Sequence, residues 1–181
     1  MTTSGATSFP ARLTKIDELT RGDHTYLDQT DECLFFGDYS ARKGFSHSAT
    51  NQLISNFKKP ARFRGTPSWK YKTAAIRSVA DAIFKNIGGT LPSLTLVPVP
   101  PSKIRTDAEF DDRMMDMLRA VKAASGDSAD VRELVIQSHT MMAAHDSENR
   151  PPPSEWEKVY TIDEALSSPT PAWIGIVDDC S

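Results

Sequence analysis

The stretch LTLVPVPP, Leu94 to Pro101, limits the fold of this chain more than any other part of it. It is a short apolar run closed by prolines. That fits a buried strand whose carboxyl end must leave the sheet, because proline has no N–H with which to continue the ladder. Amphipathic helices are predicted on both sides. Before the strand, Ile76, Val79, Ala80, Ile83, Phe84 and Ile87 recur at three and four residues, and Gly88-Gly89 supplies a stop. After it, Phe110, Met114, Met117, Leu118 and Val121 form the stripe of a helix over about 108–124, which Gly126 ends.

Other segments repeat the alternation. ECLFFGDY, 32–39, is a short β-prone run, and a helix over about 48–58 is predicted with Ser46 or Ser48 as its cap and Ala49, Leu53, Ile54 and Phe57 on one face. Pro60, Gly65 and Pro67 mark a loop. VRELVIQ, 131–137, reads as a strand, RPPPSE, 150–155, as a break, 161–167 as a short helix, and 172–177 as a last apolar strand. Strands separated by helices predict an α/β fold with a mainly parallel sheet and flanking helices. Residues 1–30 are expected to form a tail and lead-in, loose over the first dozen residues, and residues 31–181 a single domain.

Composition narrows the class. With 39% hydrophobic and 25% charged residues the chain falls among ordinary globular proteins, and a net charge of −3 gives no global attraction to nucleic acid. Cys33 and Cys180 show no metal-type spacing. No stretch approaches the roughly 18 apolar residues of a membrane span, so no membrane association and a cytoplasmic location are expected.

In parallel α/β sheets, ligands bind outside the carboxyl ends of the strands. That rule selects Asp178 and Asp179, which follow the last strand, and the loop PPSKIR after the earlier one. Carboxylates in that position accept hydrogen bonds from ribose hydroxyls or hold Mg²⁺, directly or through water; a solvated turn is the plainer alternative. Lys103 and Arg105 suit a pyrophosphate, one as a point charge and the other as a fork, or are simply exposed cations. Asp111, Asp112 and Arg113 read as ordinary residues of a helix's first turn.

The segment from Phe57 to Arg77 holds seven cations, four aromatics and no carboxylate. Lys58, Lys59, Arg62, Arg64, Lys70 and Lys72, interleaved with Phe57, Phe63, Trp69 and Tyr71, form a candidate polyanion patch that would track a phosphate backbone and stack bases. A phosphorylated acceptor or an acidic protein suits it equally, and a solubilising loop with inward aromatics is the plain alternative. His24, His47, His139 and His145 have no ligand spacing and are read as structural.

The ending WIGIVDDCS resembles the first part of the phosphoribosyl-pyrophosphate (PRPP) motif of type I phosphoribosyltransferases: an apolar strand, two acidic residues, then a small loop. DYSARKGFSHSATNQLISNFKK, LTLVPVPPSKIRTDAEFDDRMMDML and the His-rich stretch through Arg150 resemble, in the same order, segments of the ComF-like branch. The likeness covers most of residues 32–181. It departs at Ala108-Glu109, where that branch usually carries Arg-Gly.

This resemblance implies a phosphoribosyltransferase-like fold whose sheet is incomplete at its C-terminal part. Asp178 and Asp179 would bind the ribose of PRPP or a nucleotide, Mg²⁺ would arrive with PRPP, and Lys103 and Arg105 would face the pyrophosphate. The 5′-phosphate loop would begin at Cys180 and Ser181, so a longer chain or a partner would have to supply it for 5-phosphoribose transfer. The alternative is a non-catalytic binding subunit for nucleic acid or protein, with a partner or a second copy covering the last strand.

Overall fold

A computed structural model of the chain describes residues 9–24, 26–140 and 153–179. The chain divides into two compact units, Met1–Ser55 and Asn56–Ser181. The division falls inside the first helix, not near residue 30.

In the first unit, β1 (Thr14–Lys15) pairs antiparallel with β2 (Leu34–Phe35), so the β-prone run does form a strand, although a very short one. The expected loose tail lies largely outside the described residues; at its end, Phe9 packs its ring 5.8 Å from that of Phe36. α1 (Ala49–Phe57) begins after Ser48, whose hydroxyl accepts the Asn51 N–H at 3.0 Å. This is a side-chain cap satisfying one of the helix's unpaired donors. The buried Asn51 amide also closes the preceding loop, donating to the Ser40 and Gly44 carbonyls at 2.9 and 3.2 Å.

The second unit contains α2 (Trp69–Ile87), β3 (Thr95–Pro98), α3 (Arg113–Ala124), β4 (Asp130–Val131), β5 (Val135–Gln137), α4 (Pro153–Glu157), β6 (Tyr160–Ile162) and β7 (Ile174–Val177). Its centre is a three-stranded parallel sheet in the order β4-β3-β7. The α/β class with a parallel sheet is therefore present, while β5 and β6 form a separate antiparallel pair. Every residue of β3 is buried, Leu96 and Val97 in the core and Thr95 with its hydroxyl paired to Asp130. Gly175 lies opposite Leu96, and a Cβ there would stand 3.2 Å from a Leu96 methyl, so glycine lets the two strands keep their side-chain packing.

α3 buries Met114, Met117, Leu118 and Val121, four of the five residues of its predicted stripe, and packs on α2, β3 and β4. The fifth, Phe110, precedes the helix. The Asp107 side chain accepts the Glu109 N–H at 2.9 Å, and the Phe110 N–H bonds the Asp107 carbonyl at 3.0 Å. These local bonds hold a turn where a helix was expected. α2 begins seven residues before its first stripe residue, Ile76, so Trp69 to Ala75 is helix rather than loop. Its closest packing uses alanines, with Ala75, Ala80 and Ala82 buried beside Ile83.

Two other elements differ from expectation. VRELVIQ splits into β4 and β5 because its backbone changes partner: the Arg132 N–H still bonds the Leu96 carbonyl at 3.0 Å, whereas the Leu134 carbonyl accepts the Asp163 N–H at 2.9 Å. Residues 160–162 form β6, and the expected helix shrinks to a 3-10 turn, Glu164–Leu166, capped by Asp163. No helix among the described residues is long and apolar enough to cross a membrane.

Candidate functional site

β7 delivers Asp178 and Asp179 just past the carboxyl end of the parallel sheet, where Val99 N–H still bonds the Val177 carbonyl at 2.9 Å. The two carboxylates then part. Asp178 is exposed and accepts the Asp179 N–H at 2.7 Å. Asp179 turns inward, its side chain only 6% exposed, and joins two cations. One oxygen lies 3.1 Å from Lys58 Nζ, and the other accepts from Arg113 Nε at 2.5 Å.

Arg113 continues the network, donating from Nη1 to Asp111 at 2.9 Å. The same Asp111 oxygen accepts from Lys72 Nζ at 2.7 Å. Lys72 is 1% exposed and spends its other donors on the Phe57 and Lys59 carbonyls, both at 2.9 Å. Its ammonium therefore caps the C-terminal residue of α1, where a helix presents unpaired carbonyls and negative potential. Cations and carboxylates alternate along the chain Lys58–Asp179–Arg113–Asp111–Lys72.

Burial and charge set the protonation tendencies. Burial lowers the pKa of Lys72, while its bond to Asp111 opposes that shift. Burial also works against the charge of Arg113, but Asp179 and Asp111 outweigh it and raise the pKa. Asp178 goes the other way from a paired carboxylate: the protein around it, and then the charge of Asp179, raise its pKa. Asp178 remains exposed at its outer edge, so surrounding protein, not full enclosure, causes this rise. Burial, with the Asp178 charge adding to it, raises the pKa of Tyr160 as well.

The loop candidates fare differently. Arg105 pairs with Glu133 and lies 5.4 Å over the Phe110 ring, so its charge is already directed to a protein carboxylate. Lys103 is half-buried on the same loop. A shallow cleft at the end of β3 is lined by Pro98, Pro100, Asp111, Asp112, Met115 and Glu133. Cys180 and Ser181, expected at the start of a phosphate loop, lie outside the described residues, as do residues 141–150 of the His-rich stretch, His145 among them; His139, at its start, is described.

The basic segment divides in two. Lys72 leaves the predicted polyanion patch, because its ammonium is buried and committed to Asp111 and two carbonyls. Lys58 belongs to the Asp179 cluster. Lys59 and Arg62 instead lie 5.6 and 5.3 Å from the Phe63 ring, Arg64 5.6 Å from Trp69 and Lys70 5.2 Å from Tyr71. Arg62, Phe63, Arg64, Lys70 and Tyr71 are exposed.

Sequence reasoning missed the joining of Arg113 to Asp179. The two are 66 residues apart and share no periodicity, so nothing local announces their pairing. Among the described residues, no group of three or more His, Cys, Asp or Glu side chains is arranged to hold a metal. Comparison with family models, with curated proteins and with solved structures finds no match.

Proposed function

We propose that the chain is a phosphoribosyltransferase-related protein that binds PRPP or a nucleotide at the carboxyl ends of its parallel strands. One observation carries this reading: an adjacent acidic pair immediately follows β7, with Arg113 and Lys58 beside it. Asp178 is the carboxylate open to ribose hydroxyls, since Asp179 is occupied by its two cations. Of the acidic pair, Asp179 is already paired with Lys58 and Arg113, which leaves Asp178 as the one of the two open to a Mg²⁺ ion. Mg²⁺ belongs to the diphosphate in this reading. Any transfer of 5-phosphoribose would draw its rate mainly from positioning and charge neutralisation.

Calorimetric titration of Mg²⁺–PRPP into the full chain and its Asp178→Asn variant tests the reading. Saturable binding that weakens about tenfold or more in the variant supports it. No binding, or equal binding by both proteins, rejects it.

A second reading is a non-catalytic subunit for nucleic acid or protein. It is favoured by the exposed cation–aromatic surface over residues 59–71 and by the outer side of β7, where Ile174 and Ile176 are 51% and 75% exposed. Binding of a short single-stranded oligonucleotide with a steep salt dependence would point to the basic surface. Concentration-dependent association without nucleic acid would point to β7.

A further inference from the structure

The Asp179 carboxylate occupies a setting that other parts of the protein have built. Arg113 is held by Asp111 at 2.9 Å, and Asp111 by Lys72 at 2.7 Å. Lys58 follows Phe57 directly, and Lys72 fixes the Phe57 and Lys59 carbonyls on either side of it. The backbone bearing one cation and the guanidinium of the other are thus positioned by Lys72 and Asp111. Each therefore has an anchor besides Asp179.

The occupant has the character of a bound anion. Its two oxygens go to two different cations, one a point charge and the other a guanidinium. This division matches how Lys and Arg hold the several oxygens of a phosphate. Asp179 enters from the chain two residues beyond β7, so rotation of its side chain would vacate the position without breaking a strand hydrogen bond. The position also lies at the strand carboxyl ends, the ligand side of a parallel sheet.

We propose that Lys58 and Arg113 form a phosphate-class oxyanion site that the Asp179 carboxylate fills from within, making the Asp179 contact autoinhibitory. A phosphate dianion competes with the internal monoanion for the same two cations. Removing Asp179 therefore strengthens phosphate binding, opposite to the effect expected if Asp179 were itself a ligand-binding carboxylate. The proposal does not depend on recognition of ribose by Asp178.

Inorganic phosphate, without Mg²⁺, is titrated into the full-length wild type, Asp179→Ala, and Asp179→Ala combined with Lys58→Ala. The expected result is binding at least about tenfold tighter in Asp179→Ala than in wild type, with the gain abolished by the second substitution. No gain in Asp179→Ala, or a gain that survives Lys58→Ala, overturns the proposal. If Asp179→Ala does not unfold cooperatively, the Arg113 Nε–H resonance of the wild type supplies the test. A saturable shift with phosphate supports displacement of Asp179, and no shift overturns it. Phosphate contains no ribose, so loss of Mg²⁺–PRPP binding with this phosphate gain intact would reject the ribose reading alone.

Discussion

The two ends of the parallel sheet carry charged clusters of opposite character. At the amino end, Thr95 donates to Asp130 at 2.7 Å, and Arg132 grips both oxygens of Asp130 before reaching the Leu166 and Pro169 carbonyls. Each strong donor there has a local acceptor, and the cluster ties the loop ahead of β7 to β4. At the carboxyl end, two neighbouring carboxylates face different surroundings, and three cations share two inward acids. The first arrangement is a staple. The second leaves an exposed acid, Asp178, next to a network in which one partner can be exchanged for a ligand.

The largest expected effect is at the carboxyl end. Lys72→Ala should destabilise the protein by about 3 kcal/mol in chemical denaturation, because it removes one member of a buried ion pair and the donor to two carbonyls. At the amino end, Arg132→Ala should cost about 2 kcal/mol, since two carbonyls and Asp130 lose a charged donor. A larger loss for Arg132→Ala than for Lys72→Ala would reverse the ranking of the two ends.

Acid should then separate the ends by sign. Hydrogen bonds from Arg132 lower the pKa of Asp130, with burial opposing and Thr95 adding to the effect. Its stabilisation is present above the ordinary value of 3.8 and is lost as pH falls through the lower folded value. Asp130→Asn should therefore reduce the melting temperature near neutral pH and cease to matter in strong acid. The raised pKa of Asp178 favours its protonated form in the fold. Its contribution is full below 3.8 and lost as pH rises through the folded value, so Asp178→Asn should raise the melting temperature near neutral pH and lose that advantage in acid. Melting curves across pH for the two variants should thus diverge in opposite directions from wild type. Shifts of the same sign would break the contrast.

The smallest effect is expected away from both ends. Ile176 is 75% exposed on the outer side of β7, so Ile176→Ser should change monomer stability by no more than about 0.5 kcal/mol. A loss of about 2 kcal/mol or more under dilute conditions would show that this side of the strand contributes as much as its ends.

Where sequence and structure agree, a local physical rule decides the outcome. The α3 stripe was legible because one helical period places Met114, Met117, Leu118 and Val121 together, and β3 because its apolar run stops at proline. Apolar character did not reveal where β7 sits in the sheet. Ile174 and Ile176 look like core residues in the sequence, but their strand lies at the edge of the order β4-β3-β7 among the described residues. The acidic pair was legible as a strand-end feature, but the inward turn of Asp179 depends on a guanidinium 66 residues earlier. Lys72 was misleading for a related reason. It stands among solvated cations in sequence, and only the packing of α2 shows that its ammonium is enclosed.

The enclosure of Lys72 also gives the protein an internal clock. An acylating reagent can modify exposed amines such as Lys70 directly, whereas it reaches Lys72 only after the Phe57 and Lys59 carbonyls and Asp111 have released it. The slow acylation of this one lysine, followed by peptide mass spectrometry, would therefore report how often α2 releases the Phe57–Lys59 segment and Asp111 in the native protein.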